Sequence, residues 1–126
     1  IDAAGKRLKG ESVWLAMAIV RSYKFLAELA DIAGHTKKAQ EFRNRAKIMA
    51  ERVNKHCWDG EWYVRGFTDF DTVYGSSKNK EGKIFGNSQS WAVLAGIIPL
   101  ISTWTVNTAS RYFILPIQTM IQSWAE

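Results

Sequence analysis

Cysteine, proline and long apolar runs are scarce in this chain. Cys57 is the single cysteine of 126 residues. It excludes an internal disulfide and fits either a reducing compartment or a fold indifferent to cysteine; the expected location is cytoplasmic. His56 stands beside it, but neighbouring helical positions point apart and no third ligand follows at metal spacing. No metal site is therefore expected, and Cys57 reads as a buried residue at a helix end. No run is long enough to span a bilayer and no secretory leader pattern opens the chain, so no membrane partner is expected. An initiator Met is also lacking, and the chain reads as a piece of something longer. Acidic residues are the minority sign: 17 Lys and Arg face 12 Asp and Glu, for a net charge of +5. Such a balance invites a nucleic-acid reading. However, many of the cations (Lys37, Lys38, Arg43, Arg45, Lys47, Arg52, Lys55) share one helical stretch with Glu41 and Glu51. That is a solvated helix face, and no nucleic-acid partner is expected.

What is present suits one domain with a modest core, with 47% hydrophobic and 23% charged residues. Residues 1–10 have no periodicity and read as a loop. Glu11-Ser12 then caps a helix over about 13–33, whose apolar residues occupy nearly all sides of its first half. A helix of that kind is expected to be buried, and Gly34 is a good stop after it. Thr36 is the expected N-cap of a second helix running to about His56. Its apolar residues Ala39, Phe42, Ala46, Met49, Ala50 and Val53 make one stripe opposite a charged face. The pair predicts a helical hairpin with an inner and an outer member.

The stretch from Trp58 to Gly96 organises the rest. Trp58-Asp59-Gly60-Glu61 turns, and 62–68 reads as a strand. A long Gly/Ser/Lys/Asn loop follows, ending in Lys80-Glu81-Gly82-Lys83-Ile84-Phe85. A loop of this length inside a compact domain is usually functional or disordered. Asn87 or Ser88 then caps an apolar helix from Gln89 to about Ile97, with Gly96 and Pro99 marking its end. Inner helix, outer helix, excursion and inner helix is the alternation of a helical toroid. Excursions entering inner helices at their N-termini would share one face, where free backbone N–H groups favour anions. From Leu100 the pattern changes. The tail 100–126 carries only Arg111 and Glu126 as charges, favours strand, and is interrupted by Pro116.

Three segments in this order and spacing resemble one family. They are Gly10-Glu11-Ser12-Val13-Trp14-Leu15-Ala16; Trp58-Asp59-Gly60-Glu61-Trp62-Tyr63 leading to Arg65; and Gly75-Ser76 through Asn79-Lys80-Glu81-Gly82-Lys83-Ile84-Phe85 to Gln89-Ser90-Trp91-Ala92-Val93. The set resembles the disaccharide phosphorylases of glycoside hydrolase family 94, the cellobiose and chitobiose phosphorylases, with related modules in cyclic β-1,2-glucan synthases. The resemblance covers roughly 1–99. It divides the chain into a fragment of a catalytic domain, 1–99, and an atypical apolar tail, 100–126.

This resemblance implies a mainly α fold, part of an (α/α)6 barrel with a short β excursion and a long loop between helices. It implies inverting phosphorolysis of a β-linked disaccharide of cellobiose or chitobiose type to a sugar 1-phosphate. Inorganic phosphate is the co-substrate, no metal or organic cofactor is needed, and full-length relatives are homodimeric. The family's general-acid Asp falls just upstream of Ile1 and its phosphate-binding segments lie after the match ends, so no catalytic residue is expected on this chain. The fragment alone is expected to be inactive. Wall and lid residues remain as substrate-binding candidates: Glu11, Arg65, Glu81, Lys83, Gln89 and Trp91. Structural roles compete for each, with Glu11 as a helix-start anion, Glu81 and Lys83 as loop salt bridges, and Trp91 as core. Arg65 and Gln89 have the better functional case, since both sit at excursion ends beside aromatics. The competing reading is a non-catalytic helical module that binds carbohydrate or a protein partner through the same loop.

Overall fold

A computed structural model describes residues 9–97. The predicted behaviour of the tail 100–126 lies outside the described residues. Three helices and a small sheet make up the rest, in the order β1 (Glu11–Ser12), α1 (Val13–Ile32), α2 (Thr36–Cys57), β2 (Gly66–Phe67), β3 (Val73–Tyr74) and α3 (Gly86–Ala95).

The predicted hairpin is α1 and α2. Gly34, at φ 76°, ends α1 in a left-handed turn. The His35 N–H donates to Ala30 O at 2.8 Å and the Gly34 N–H to Asp31 O at 2.9 Å. Those paired bonds satisfy carbonyls that a helix end otherwise leaves open. Small residues line the seam: Ala27 and Ala30 of α1, and Ala39 and Ala46 of α2, are all buried. Thr36 is the first residue of α2 rather than its cap; His35 takes the cap position without a side-chain bond. Ser12 likewise precedes α1 without a side-chain cap bond. The first free N–H of α1, that of Val13, is instead taken by Arg65 O at 3.2 Å.

The predicted contrast between a buried α1 and a peripheral α2 needs correction. Each helix buries one stripe: Val13, Met17, Val20, Ala27 and Ala30 on α1, and Ala39, Ala46, Val53 and Cys57 on α2. Leu15, Phe25 and Leu29 of α1 remain about half exposed and Ile32 is 84% exposed. An apolar helix is buried all round only where neighbours stand on all its sides. Among the described residues α1 has two helical neighbours, α2 and α3.

α3 opens at Gly86, earlier than predicted, because extended Phe85 supplies the cap position and Ser88 and Gln89 already face inward. Gly96, at φ 59°, closes it, with the Ile97 N–H returning to Ala92 O at 3.2 Å. α3 runs alongside α1 in the same direction. The Trp14 ring, at the start of α1, meets the Trp91 ring midway along α3 at 5.8 Å between centroids, and Lys24 Nζ, further along α1, donates to Ala95 O at the α3 end, 2.6 Å away. A cation over the last carbonyls also complements the helix dipole. The N-termini of α1 and α3 therefore lie at one end of the structure, on the side of the sheet.

The predicted strand 62–68 is shorter and has more partners than expected. β2 keeps only Gly66 and Phe67, and it is the centre of an antiparallel sheet ordered β1-β2-β3. Glu11 and Ser12, read as a cap, are its first strand, and Val73 and Tyr74, read as loop, are its third. Two-residue strands carry too little alternation to be visible as a period. Gly66 is required by closeness: a Cβ there would meet Glu11 O at 2.5 Å.

Candidate functional site

The site region is built around Tyr63, which is fully buried. Its ring sits edge-on to Trp58 at 5.1 Å, and its hydroxyl donates to Asn54 Oδ1 of α2 at 2.6 Å. Asn54 Nδ2 in turn donates to Ile97 O at 2.9 Å, so one side chain joins α2, the excursion and the end of α3. Burial pushes the Tyr63 phenol up to about 12, with Cys57 beside it. Burial likewise raises the Cys57 thiol to about 11, helped by the charge of Glu11. A thiol held protonated at neutral pH is not a nucleophile, which agrees with the structural reading of Cys57.

Gln89 reaches the same residue from α3. Its Oε1 accepts the Tyr63 N–H at 3.1 Å, and its Nε2 donates to Tyr63 O at 2.7 Å and to Phe85 O at 3.3 Å. The amide thereby stands in for a missing strand partner, and both of its donor hydrogens are engaged.

The long loop is tied down by residues of the preceding turn. Asp59 Oδ1 accepts the N–H groups of Glu61 and Trp62, each at 3.0 Å. Its Oδ2 accepts Ser76 Oγ–H at 2.8 Å and the Ser77 N–H at 2.7 Å. Burial alone would raise this carboxyl, but those four donors hold it down at about 2. The Trp62 indole N–H is shared between Gly75 O at 3.0 Å and Lys83 O at 2.9 Å, so one donor closes both ends of the loop. Asn79 finishes the turn, with Oδ1 accepting the Ser76 N–H at 2.7 Å and Nδ2 donating to Val73 O at 3.2 Å. On the other side of β2, buried Asp69 accepts the N–H groups of Lys9 and Gly10 at 2.8 and 3.0 Å.

Against this frame the six candidates separate. Arg65 is half-buried, donates from Nη1 to Ser12 Oγ at 3.1 Å, and lies 6.0 Å from the Phe85 ring centroid. Gln89 and Arg65 therefore flank the same excursion. Trp91 is half-buried against Trp14. Glu81 and Lys83 are exposed on the loop; the expected loop salt bridges are not formed, since the ion pairs among the described residues join Lys38 and Arg45 to Glu41 and Arg43 to Asp31. Those pairs sit on α1 and α2 surfaces, away from the excursion. Glu11 stands apart from the loop and lines a groove of about 680 Å³ along α1 and α2, with Lys9, Leu15, Ile19, Arg52 and His56. Among the described residues no group of three or more His, Cys, Asp or Glu is placed to hold a metal ion. None of the described helices is long and apolar enough to cross a membrane.

Asp59, Trp62, Tyr63 and Asn79 stood within the segments that carry the resemblance but were not named as site residues, and Asn54 was not singled out at all. Asp59-Gly60 was legible as a turn, and Asp before Gly is a residue that bonds backbone N–H groups two and three positions on. Its reach across to residues 76 and 77 leaves no local signal.

A pair of helices in contact, α1 and α3, fed by a tied β excursion and bearing charged loop side chains left exposed, makes a mainly helical arrangement consistent with a piece of a helical catalytic domain. The chain belongs to the glycosyl hydrolase 94 superfamily, whose catalytic-domain model matches residues 3–109. It is 40% identical over 97 residues to a 3-O-beta-D-glucopyranosyl-beta-D-glucuronide phosphorylase of Paenibacillus borealis, covering 77% of this chain and 13% of that protein. It is 41% identical over 96 residues to a cellobionic acid phosphorylase of Neurospora crassa, covering 76% and 12% respectively. A solabiose phosphorylase of Paenibacillus borealis is 37% identical over 98 residues, covering 77% and 13%. The chain thus spans roughly an eighth of the length of these relatives.

Proposed function

We propose that this chain forms part of the wall of an (α/α)6 barrel that carries out inverting phosphorolysis of a β-linked disaccharide. The observation that carries the reading is the 40–41% identity to two disaccharide phosphorylases over some three quarters of the chain. In such a reaction a phosphate oxygen attacks the anomeric carbon from the face opposite the leaving sugar. The glycosidic C–O bond breaks, and a carboxylic acid protonates the departing oxygen. The products are a sugar 1-phosphate and a free sugar. Inorganic phosphate is the co-substrate, and the reaction calls on no metal or organic cofactor.

The acid and the phosphate-binding groups are proposed to lie outside residues 1–99, leaving this stretch to contact sugar through Arg65, Trp91 and the loop bearing Glu81 and Lys83. The substrate is proposed to be a β-glucosyl disaccharide with a carboxylate on its second unit. The relatives at 40% and 41% identity are named for a glucuronide and an -onic acid, whereas two N,N'-diacetylchitobiose phosphorylases are 30% and 29% identical. Lys78, Lys80 and Lys83 outnumber Glu81 on the loop, which suits an anionic sugar. A cytoplasmic homodimer is the proposed setting.

The test is sugar 1-phosphate release by the whole protein with phosphate and, in turn, cellobionic acid, glucosyl-glucuronide, cellobiose and N,N'-diacetylchitobiose. Turnover fastest with an acidic substrate is the expected result, and the 126-residue chain alone should give none. Binding of a disaccharide without phosphorolysis by the whole protein would replace this reading with that of a non-catalytic module.

A further inference from the structure

We propose that Trp62 and Asp59 are positioning residues for substrate recognition, fixing where loop 76–82 presents its charged tip. The inference rests on the phosphorolysis reading and adds to it the groups that organise the sugar-contacting loop.

The geometry separates a saturated stem from an unsaturated tip. At the stem, a single indole N–H spans Gly75 O and Lys83 O, at 3.0 and 2.9 Å, so the two ends of the loop are held within reach of one atom. The Asp59 carboxylate spends one oxygen on its own turn and the other on Ser76 and Ser77. Trp62 is 8% exposed and Ser76 5% exposed, so these bonds are shielded from competing water. Gly75, at φ 77°, lets the chain leave β3 into this grip, and a Cβ there would meet the Arg65 backbone N at 2.7 Å. At the tip the opposite holds. Lys80 and Glu81 are exposed there, as is the Lys83 side chain where the loop closes, and none of these side chains makes a hydrogen bond or ion pair among the described residues.

A compact loop with closed ends and unengaged charges at its tip is built to present those charges, because its backbone is ordered before a ligand arrives. A loop ordered only on binding would spend part of its contact energy on that ordering. The Trp62 and Asp59 bonds remove that cost without either side chain touching the sugar.

The experiment is steady-state kinetics of the whole protein carrying Trp62→Phe, with Ser76→Ala as a milder second variant. Trp62→Phe removes the shared donor and keeps an aromatic ring; Ser76→Ala removes one strap to Asp59. The KM for disaccharide should rise about tenfold in Trp62→Phe and about threefold in Ser76→Ala, with the KM for phosphate unchanged in both. A merely structural role predicts something different, namely a lower folded fraction that reduces kcat and leaves both KM values alone. That result, or an equal rise in both KM values, would overturn the inference. Should Trp62→Phe fail to fold, Ser76→Ala decides, and failure of both to fold makes the ties a folding device and refutes the proposal. Wild-type protein that releases no sugar 1-phosphate from any disaccharide sinks the function reading itself, whereas active wild type with unchanged KM ratios in folded variants sinks only this inference.

Discussion

Replacing Gln89 by Leu tests whether this residue is wiring. Leu is close in volume and apolar, so the cavity contribution is small and the effect reduces to hydrogen bonding. Three bonds disappear, at 3.1, 2.7 and 3.3 Å. Phe85 O keeps its place at the start of α3, where it accepts within the helix, so its loss is minor. The Tyr63 N–H and C=O are the groups left without a partner, inside a residue that is 0% exposed. Each orphaned buried group costs about 1–3 kcal/mol, and burying Leu returns roughly 1 kcal/mol. For the two groups together the sum is a loss of about 1–5 kcal/mol, a large part of a typical domain's stability of roughly 5–15 kcal/mol. Urea unfolding followed by tryptophan fluorescence measures it as a lower midpoint at constant slope. Gln89→Glu sharpens the test. An ionised carboxylate still accepts the Tyr63 N–H but faces two carbonyl oxygens, whereas the protonated acid can donate. Its folded-state pKa should therefore be raised above the unfolded value. The variant then holds most of its stability below about pH 4 and loses it as pH rises through the folded pKa. A Leu variant within about 0.5 kcal/mol of wild type, or a Glu variant indifferent to pH, would refute the pairing of Gln89 with Tyr63.

Asp59 supplies a prediction of opposite sign. Its carboxyl is held at about 2 against an ordinary 3.8, so its stabilisation is full above about pH 4 and fades as pH falls through 2. The partly solvated site reduces this to about 1–2 kcal/mol, read as the wild-type minus Asp59→Asn difference in urea midpoint, which should shrink between pH 5 and pH 2. Gly75→Ala should destabilise by at least about 2 kcal/mol, because a positive φ and a Cβ 2.5 Å from Arg65 Cβ act together; thermal unfolding near the wild-type midpoint would show the loop free to shift.

The helices were legible because their signals are local and repeated. The stripe Ala39, Ala46, Val53 and the stop at Gly34 each follow from spacing or from one residue's backbone freedom. The sheet was not legible, since Glu11 pairs with Phe67 and the latter with Val73 across segments too short to alternate. The exposed face of α1 was misread for a related reason: composition shows how much of a helix is apolar, not how many neighbours it has. Leu15, Leu29 and Ile32 keep substantial exposure, as do Val93 and Leu94 of α3 at 60% and 61%. Each half-buried Leu leaves about 1 kcal/mol of transfer free energy unused.

For the candidate site, residue type alone could not separate anchor from ligand group. Gln89 and Glu81 are both polar, both near the excursion, and both plausible against a sugar. Saturation separates them. Gln89 has both donor hydrogens committed to backbone carbonyls, and to contact a substrate it would first have to abandon Tyr63 at the cost worked out above. Glu81, Lys83 and Lys80 have no such commitment among the described residues and need only a loop that stays in place. Asp59 and Trp62 provide that through four and two hydrogen bonds respectively. The division supports the proposed function from the energetic side: unengaged charges held on a pre-ordered loop cost little to bring against a polar sugar, whereas engaged ones would have to be released first.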